Sequence, residues 1–272
     1  MDSSRDEMAA QESTVELKMD NTRDLHQVVK ALLFKESGII DVSENGLRII
    51  VDDQNCFQAI AYIKNEIFSS FVLRAENATF RTSMAILADC LNVFGVPGNT
   101  TLKMIYAGQA EPLKLMLEKD GIVVKSMIKT QNPGTILDFD FDASDVATKV
   151  IMKPLKLKEV FHELDMSSAS IGIKITHRLL CFSTEGDLGK IKTEFPQHSE
   201  QIERLECENN VEFKYRLNLL KRLTPALNIC QKVSIRINSR GILSLQFMIE
   251  HSENNHIFIE FFVSLHFIFS YL

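Results

Sequence analysis

The sequence predicts an α+β fold made of two tandem domains, each with two helices packed on antiparallel sheets. Three observations predict it. A helix-and-hairpin arrangement over residues 15–129 returns over residues 135–263. Each half reads as a short strand, an amphipathic helix, several strands, a second helix and three more strands. Between them, Gln131-Asn132-Pro133-Gly134 supplies turn chemistry. The expected division is a disordered tail over 1–14, a first domain over 15–130, a connector over 131–135, a second domain over 136–264, and an apolar tail over 265–272. The length of 272 residues suits two ordinary domains, and 45% hydrophobic with 24% charged residues is enough for a sizeable core.

In the first half, Val15 to Met19 alternates as a strand. Thr22 can cap a helix whose apolar face is Leu25, Val28, Val29, Leu32 and Leu33. Burying those five side chains contributes roughly 8–15 kcal/mol gross, enough to fix the helix on a sheet. Strands follow over 38–42, 47–51 and 56–63, the first two joined by Asn45-Gly46, a strong tight-turn signal. Further strands fit 68–73 and 78–81. Ser83 then caps a helix with Met84, Leu87, Cys90, Leu91 and Phe94 on one face, closed by Gly95. Three strands over 101–106, 113–118 and 122–129 complete the half.

The second half is expected to start with a strand over 136–141. A helix over 155–164 has Leu157, Val160, Phe161 and Leu164 as its apolar face. Strands fit 170–176, 179–183, 189–195 and 211–215. A fourth helix starts near Leu217 and is ended or kinked by Pro225. The closing meander is 233–237, 242–249 and 257–263.

Composition narrows the function. A net charge of −6 excludes a protein that coats nucleic acid by overall charge, while leaving room for a local basic patch. Five widely spaced cysteines with no C-x-x-C suggest neither a disulfide framework nor a zinc site. The polar, acidic N-terminus has no apolar core of a signal peptide, so an intracellular, reducing setting is expected. The apolar run from Ile257 is too short and too broken for a membrane helix. It reads as a buried strand followed by a tail for which an extra strand, a hydrophobic contact with a partner and a gene-model artefact are the alternatives.

Opposite the apolar stripes, three of the four helices carry cations. On the first helix these faces hold Arg23, His26, Gln27 and Lys30. The third offers Lys158 and His162 with Lys156 at the margin, and the fourth offers Asn218, Lys221 and Arg222. The second helix offers Asp89 and Asn92. If the helices share one surface, Arg23, Lys30, Lys156, Lys158, Lys221 and Arg222 form a stripe suited to a phosphate backbone, read without sequence preference. Asp138, Asp140 and Asp142 suggest a metal-dependent nuclease, but they alternate with Leu137, Phe139 and Phe141 and so read first as the solvent side of a half-buried strand. His251 and His256 sit in a turn-like stretch and make a weak metal pair. No phosphate loop or nucleophile elbow is present.

Several segments carry a family resemblance: Phe161-His162-Glu163-Leu164-Asp165-Met166, Ile136-Leu137-Asp138-Phe139-Asp140-Phe141, Asp89-Cys90-Leu91-Asn92-Val93-Phe94-Gly95, and Lys232-Val233-Ser234-Ile235-Arg236 followed by Arg240-Gly241-Ile242-Leu243-Ser244-Leu245-Gln246-Phe247-Met248-Ile249. Over residues 15–263 the chain resembles a sliding-clamp subunit of the proliferating-cell-nuclear-antigen type, and more specifically the Rad-one-type subunits of the nine-one-one DNA-damage checkpoint clamp. The resemblance implies a DNA-clamp fold with helices inside a ring, and a nuclear, non-catalytic subunit without a cofactor. It implies Rad-nine-like and Hus-one-like partners, a dedicated clamp loader, double-stranded DNA through the ring, and checkpoint and repair effectors. Such subunits join edge to edge, which here points to Ile122, Val124, Ser126 and Ile128 on one side and Lys190, Lys192 and Glu194 on the other. A homotrimeric replication clamp and an exonuclease using Asp138, Asp140 and Asp142 are the competing expectations.

Overall fold

The computed structural model describes residues 13–53, 55–95, 100–187, 189–252 and 254–265. The expected N-terminal tail and the apolar C-terminal tail therefore lie almost wholly outside the described residues. The chain forms two compact units. One comprises residues up to Ile50 together with Tyr62–Thr135; the other comprises Val51–Ala61 and the residues from Ile136 onward.

The first repeat runs β1 (Val15–Met19), α1 (Arg23–Ala31), β2 (Ser37–Ser43), β3 (Gly46–Asp53), β4 (Phe57–Lys64), β5 (Ser70–Leu73), β6 (Asn77–Ser83), α2 (Met84–Leu91), β7 (Thr101–Tyr106), β8 (Leu113–Lys119) and β9 (Ile122–Ile128), with a short β10 (Thr130–Gln131). A five-stranded sheet has the order β5-β1-β7-β8-β9, and a second runs β10-β6-β2-β3-β4. Period-two alternation buries Val15, Leu17 and Met19 with Leu113, Leu115 and Leu117 on one face. At the β2–β3 turn Gly46 has φ +133°, and a Cβ there would collide with the carbonyl oxygen of Ile63, so the Asn-Gly turn needs its glycine.

The second repeat runs β11 (Val146–Met152), α3 (Pro154–Glu163), β12 (Ser170–Ile175), β13 (Leu179–Gly186), β14 (Gly189–Pro196), β15 (Ile202–Cys207), β16 (Val211–Arg216), α4 (Leu217–Leu220), α5 (Thr224–Ile229), β17 (Lys232–Asn238), β18 (Leu243–Ser252) and β19 (Asn255–Val263). A 3-10 turn over Lys221–Leu223 links α4 to α5, with Pro225 in the first turn of α5, so the expected kink is a break into three short helical pieces. The sheets here are β14-β13-β12-β16 and β19-β18-β17-β11-β15, the Phe57–Ala61 part of β4 lying beside β19. Strand for strand, the order β5-β1-β7-β8-β9 is repeated as β15-β11-β17-β18-β19, and β6-β2-β3-β4 as β16-β12-β13-β14.

Four local expectations are corrected. The strand predicted over 136–141 is absent: residues 132–142 carry no regular structure, and β11 at Val146–Met152 opens the second repeat. The strand β15 was not predicted, because Ile202-Glu203-Arg204-Leu205-Glu206-Cys207 has little apolar alternation and sits at a sheet edge. Thr22 makes no side-chain cap and is buried; the Asn21 carboxamide instead accepts from the Arg23 amide at 2.9 Å. Leu33, expected in the apolar face of α1, is 40% exposed because the helix has already ended. Ser83 does cap α2, accepting from the Ile86 amide at 3.4 Å.

Candidate nucleic-acid interface and open sheet edges

In the first unit α1 packs on α2, and in the second α3 packs on α5. On α1, Arg23 and Lys30 are exposed and lie seven residues apart, two turns along one face. His26, expected beside them, is buried instead. Burial pulls its pKa below the ordinary 6.5, Lys30 pulls the same way, and Asp89 of α2 opposes them. His26 is thus part of the α1–α2 packing, because it lies three residues from Val29 and so borders the apolar stripe.

On α3, Lys156 is tied to Glu159 at 2.7 Å, so its charge is offset by a carboxylate of its own helix. Lys158 is half-buried and donates to the Asn228 carbonyl of the α5 segment at 3.4 Å. Lys221, in the 3-10 turn, is half-exposed. Among the described residues, Arg23, Lys30, Lys158 and Lys221 make no ion pair.

Arg222 departs most from expectation. Its guanidinium donates to the Asp53 carboxylate at 2.6 Å and lies 5.6 Å from the centroid of the Phe57 ring. Its side chain is 29% exposed and that of Asp53 only 8%. The arginine therefore neutralises a buried carboxylate, a contact spanning 169 positions that no local pattern could reveal. It is a packing residue of the second unit and not a free phosphate contact.

The expected edge strands are edges. β9 ends the five-stranded sheet of the first unit, and β14 ends the four-stranded sheet of the second. Their chemistry differs. Along β9, Ile122, Val123 and Met127 are exposed, and Ile86 of α2 is exposed in the groove beside Met127. Ile128 is only 2% exposed, because its side chain turns into the core opposite Leu113, and this removes it from the contact set. Along β14, Lys190, Lys192 and Glu194 are exposed, and Lys192 pairs with Glu194, which holds its ammonium pKa up. Val123, Met127 and Ile86 were not anticipated; their signal was apolar side chains at off-stripe positions.

The carboxylates suspected of holding a metal do not converge. Asp138 accepts the amide of Asp140 and Asp142 accepts the amide of Ser144, both at 2.8 Å, so each closes its own turn. Asp140 has φ +49° and faces Arg240 at 3.1 Å. Among the described residues no three His, Cys, Asp or Glu side chains gather as metal ligands. His251 and His256 fall outside any such group.

Two repeats of one strand order, each with a pair of packed helices, define a DNA-clamp fold. The family model described as "Repair protein Rad1/Rec1/Rad17" matches residues 14–249, and the chain belongs to this family, a family of DNA-damage checkpoint clamp components. It is 39% identical to the mouse cell cycle checkpoint protein RAD1 over 250 residues, 90% of this chain and 89% of that protein. It is 36% identical to the checkpoint homologue mrt-2 of Caenorhabditis elegans over 248 residues, 91% and 92% of the two chains. A more distant relative, 26% identical over 182 residues, is named DNA repair exonuclease REC1 of Mycosarcoma maydis; the match covers 55% of this chain and 39% of that protein. No helix among the described residues is long and apolar enough to cross a membrane.

Proposed function

We propose that the chain is a non-catalytic subunit of a heterotrimeric ring that encircles DNA at damage sites in the nucleus, where it supports checkpoint signalling and recruits repair factors. The observation that carries the reading is the topological match between the two repeats. The chain already pairs β4, last strand of its first four-stranded set, with β19, last strand of its second five-stranded set. The counterparts of those strands, β14 and β9, each end a sheet among the described residues. The same pairing made between neighbouring chains gives a head-to-tail contact, which closes into a ring when the rotation permits.

Unlike edges favour unlike neighbours. A second copy would set Val123 and Met127 against Lys190, Lys192 and Glu194, desolvating charges against apolar side chains. Partners of the Rad-nine and Hus-one types supply the matching edges, and a loader opens the ring around double-stranded DNA. Within the ring DNA is held by linkage, so Arg23, Lys30, Lys158 and Lys221 need only weak, mobile phosphate contacts.

The deciding experiment is the mass of the purified chain, alone and co-expressed with the two partner types. A monomer that enters a one-to-one-to-one ring supports the reading. A self-trimer overturns it in favour of a replication clamp. The exonuclease reading, raised by the name of one distant relative, is tested in the same preparation. Hydrolysis with Mg²⁺ or Mn²⁺ that is lost on changing Asp138, Asp140 and Asp142 to Asn would sink the non-catalytic assignment.

A further inference from the structure

The outward face of the first five-stranded sheet bears four lysines against two glutamates. The register places Lys18 beside Lys103, Lys103 beside Met116, and Met116 beside Lys125 in one row across the sheet. The adjacent row holds Glu16, Ile105, Lys114 and Met127, and Glu118 stands on the other side of the lysine row, between Thr101 and Val123. Lys103 binds Glu16 at 2.8 Å, while Lys18, Lys114 and Lys125 make no ion pair among the described residues. In a chain of net charge −6 this is a local excess of positive charge. Lysines directly opposite each other on neighbouring strands repel, a cost that an anionic occupant relieves.

The second unit offers an internal precedent on its equivalent sheet face. There the chain's own segment Leu137–Asp142, in which acids and apolar residues alternate, lies over Phe262. Phe139 stacks on that ring at 5.8 Å and Phe141 tilts against it at 5.7 Å. Arg236 sits 5.6 Å above Phe141, and Arg240 holds Asp140. Strand for strand, Phe262 opposite Ser244 corresponds to Met127 opposite Lys114. Phe262 is 9% exposed beneath its segment, whereas Met127 is 71% exposed.

We propose that this face of the first unit, through Lys18, Lys114, Lys125, Met116 and Met127, docks an extended acidic segment of a partner protein in which apolar side chains alternate with carboxylates. Such a segment presents carboxylates and apolar side chains in turn, matching a face on which Met116 stands between Lys103 and Lys125 and Met127 stands beside Lys114. Phosphate backbone asks only for charge and makes no use of Ile105, Met116 and Met127. The test does not depend on ring formation, since the residues altered, Lys18 and Lys114, stand on β1 and β8, away from the β9 edge that carries Lys125 and Met127.

The test uses the full chain and a fluorescein-labelled peptide copying residues 135–143, read by fluorescence polarisation. A second peptide carries Asn for Asp138, Asp140 and Asp142. The acidic peptide should bind saturably, the Asn peptide roughly tenfold more weakly, and K18E/K114E should lose a similar factor, as screened charge pairs predict. R240E, altered where the chain's own segment sits, should bind like the unaltered protein. K18Q/K114Q serves as a second variant should charge reversal impair folding, with the urea midpoint as the check. No saturation by about 1 mM peptide overturns the proposal. So does unchanged binding by both lysine pairs, or a greater effect of R240E. Full displacement of the peptide by a short DNA duplex, itself sensitive to K18E/K114E, makes the face a nucleic-acid surface instead.

Discussion

Replacing Arg222 by Ala removes the guanidinium from Asp53, whose side chain is 8% exposed, together with its place over the Phe57 ring. Breaking a buried ion pair from one side costs about 3–5 kcal/mol, because the remaining charge stays desolvated. Here Arg222 is 29% exposed, so water reaches the gap and the lower half of that range applies. Losing the cation–π contact adds about 0.5–1 kcal/mol. The expected loss is therefore roughly 3.5–5 kcal/mol, equivalent to a fall in Tm of about 7–20 °C at the 2–4 °C per kcal/mol typical of proteins of 150–250 residues. Urea denaturation followed by circular dichroism measures it. The double variant D53N/R222M, which removes both charges and keeps volume, should recover more than half of the loss. A loss below about 0.5 kcal/mol for R222A, the level of an exposed pair, refutes the packing role and restores Arg222 to the DNA-facing set.

The remaining predictions are shorter. Changing Arg23, Lys30, Lys158 and Lys221 to Gln should leave ring assembly intact, measured by mass, while weakening DNA-dependent activity and flattening its dependence on salt. M127E should block pairing at β9 but not at β14, so the chain should still form a one-to-one complex with a single partner, visible by size-exclusion chromatography. F141A strips the contacts to Phe262 and Arg236 and should cost about 2–4 kcal/mol, less than a core aromatic, because the segment is half-exposed. His26 gives a pH signature. Its folded pKa lies below 6.5, so the unfolded chain binds the extra proton, and stability falls as pH drops from about 6.5 toward the folded value. The H26L variant should lose that slope in urea midpoints measured between about pH 7 and 5.

Much of the fold was legible because its signals are local. The apolar face of α1, the Asn45-Gly46 turn and the Ser83 cap each lie within a dozen residues, and each strand of the two closing meanders obeys one period. Failures arose where two readings share a pattern. Asp138-Phe139-Asp140-Phe141 alternates like a strand, yet its aromatic side chains bind Phe262 from an unpaired segment, and its backbone makes no ladder. The real first strand, Val146–Met152, had the same alternation through Thr148, Val150 and Met152 but was overshadowed. The cations were legible as residues and not as charges. Periodicity shows where Arg222 and Lys156 lie on a helix but not that Asp53 and Glu159 neutralise them. Similarly, β9 and β14 could be named as edges, while the inward turn of Ile128 depended on its register with Leu113.

The excursion of Val51–Ala61 into the second unit has a consequence for how the protein could be divided. A stretch from the first repeat supplies Phe57 and Ala59, both fully buried, and the Cys56 carbonyl that accepts the Ser264 amide at 3.0 Å. The halves are therefore interlocked in sequence, although a protease cutting at residues 132–142 would sever only one peptide bond. A nicked chain should run as two bands in denaturing gels and as a single species in native ones. Fragments 1–135 and 136–272 made separately should be sticky and short-lived, yet recover a folded protein when mixed, which would make this molecule a natural split reporter of its own assembly.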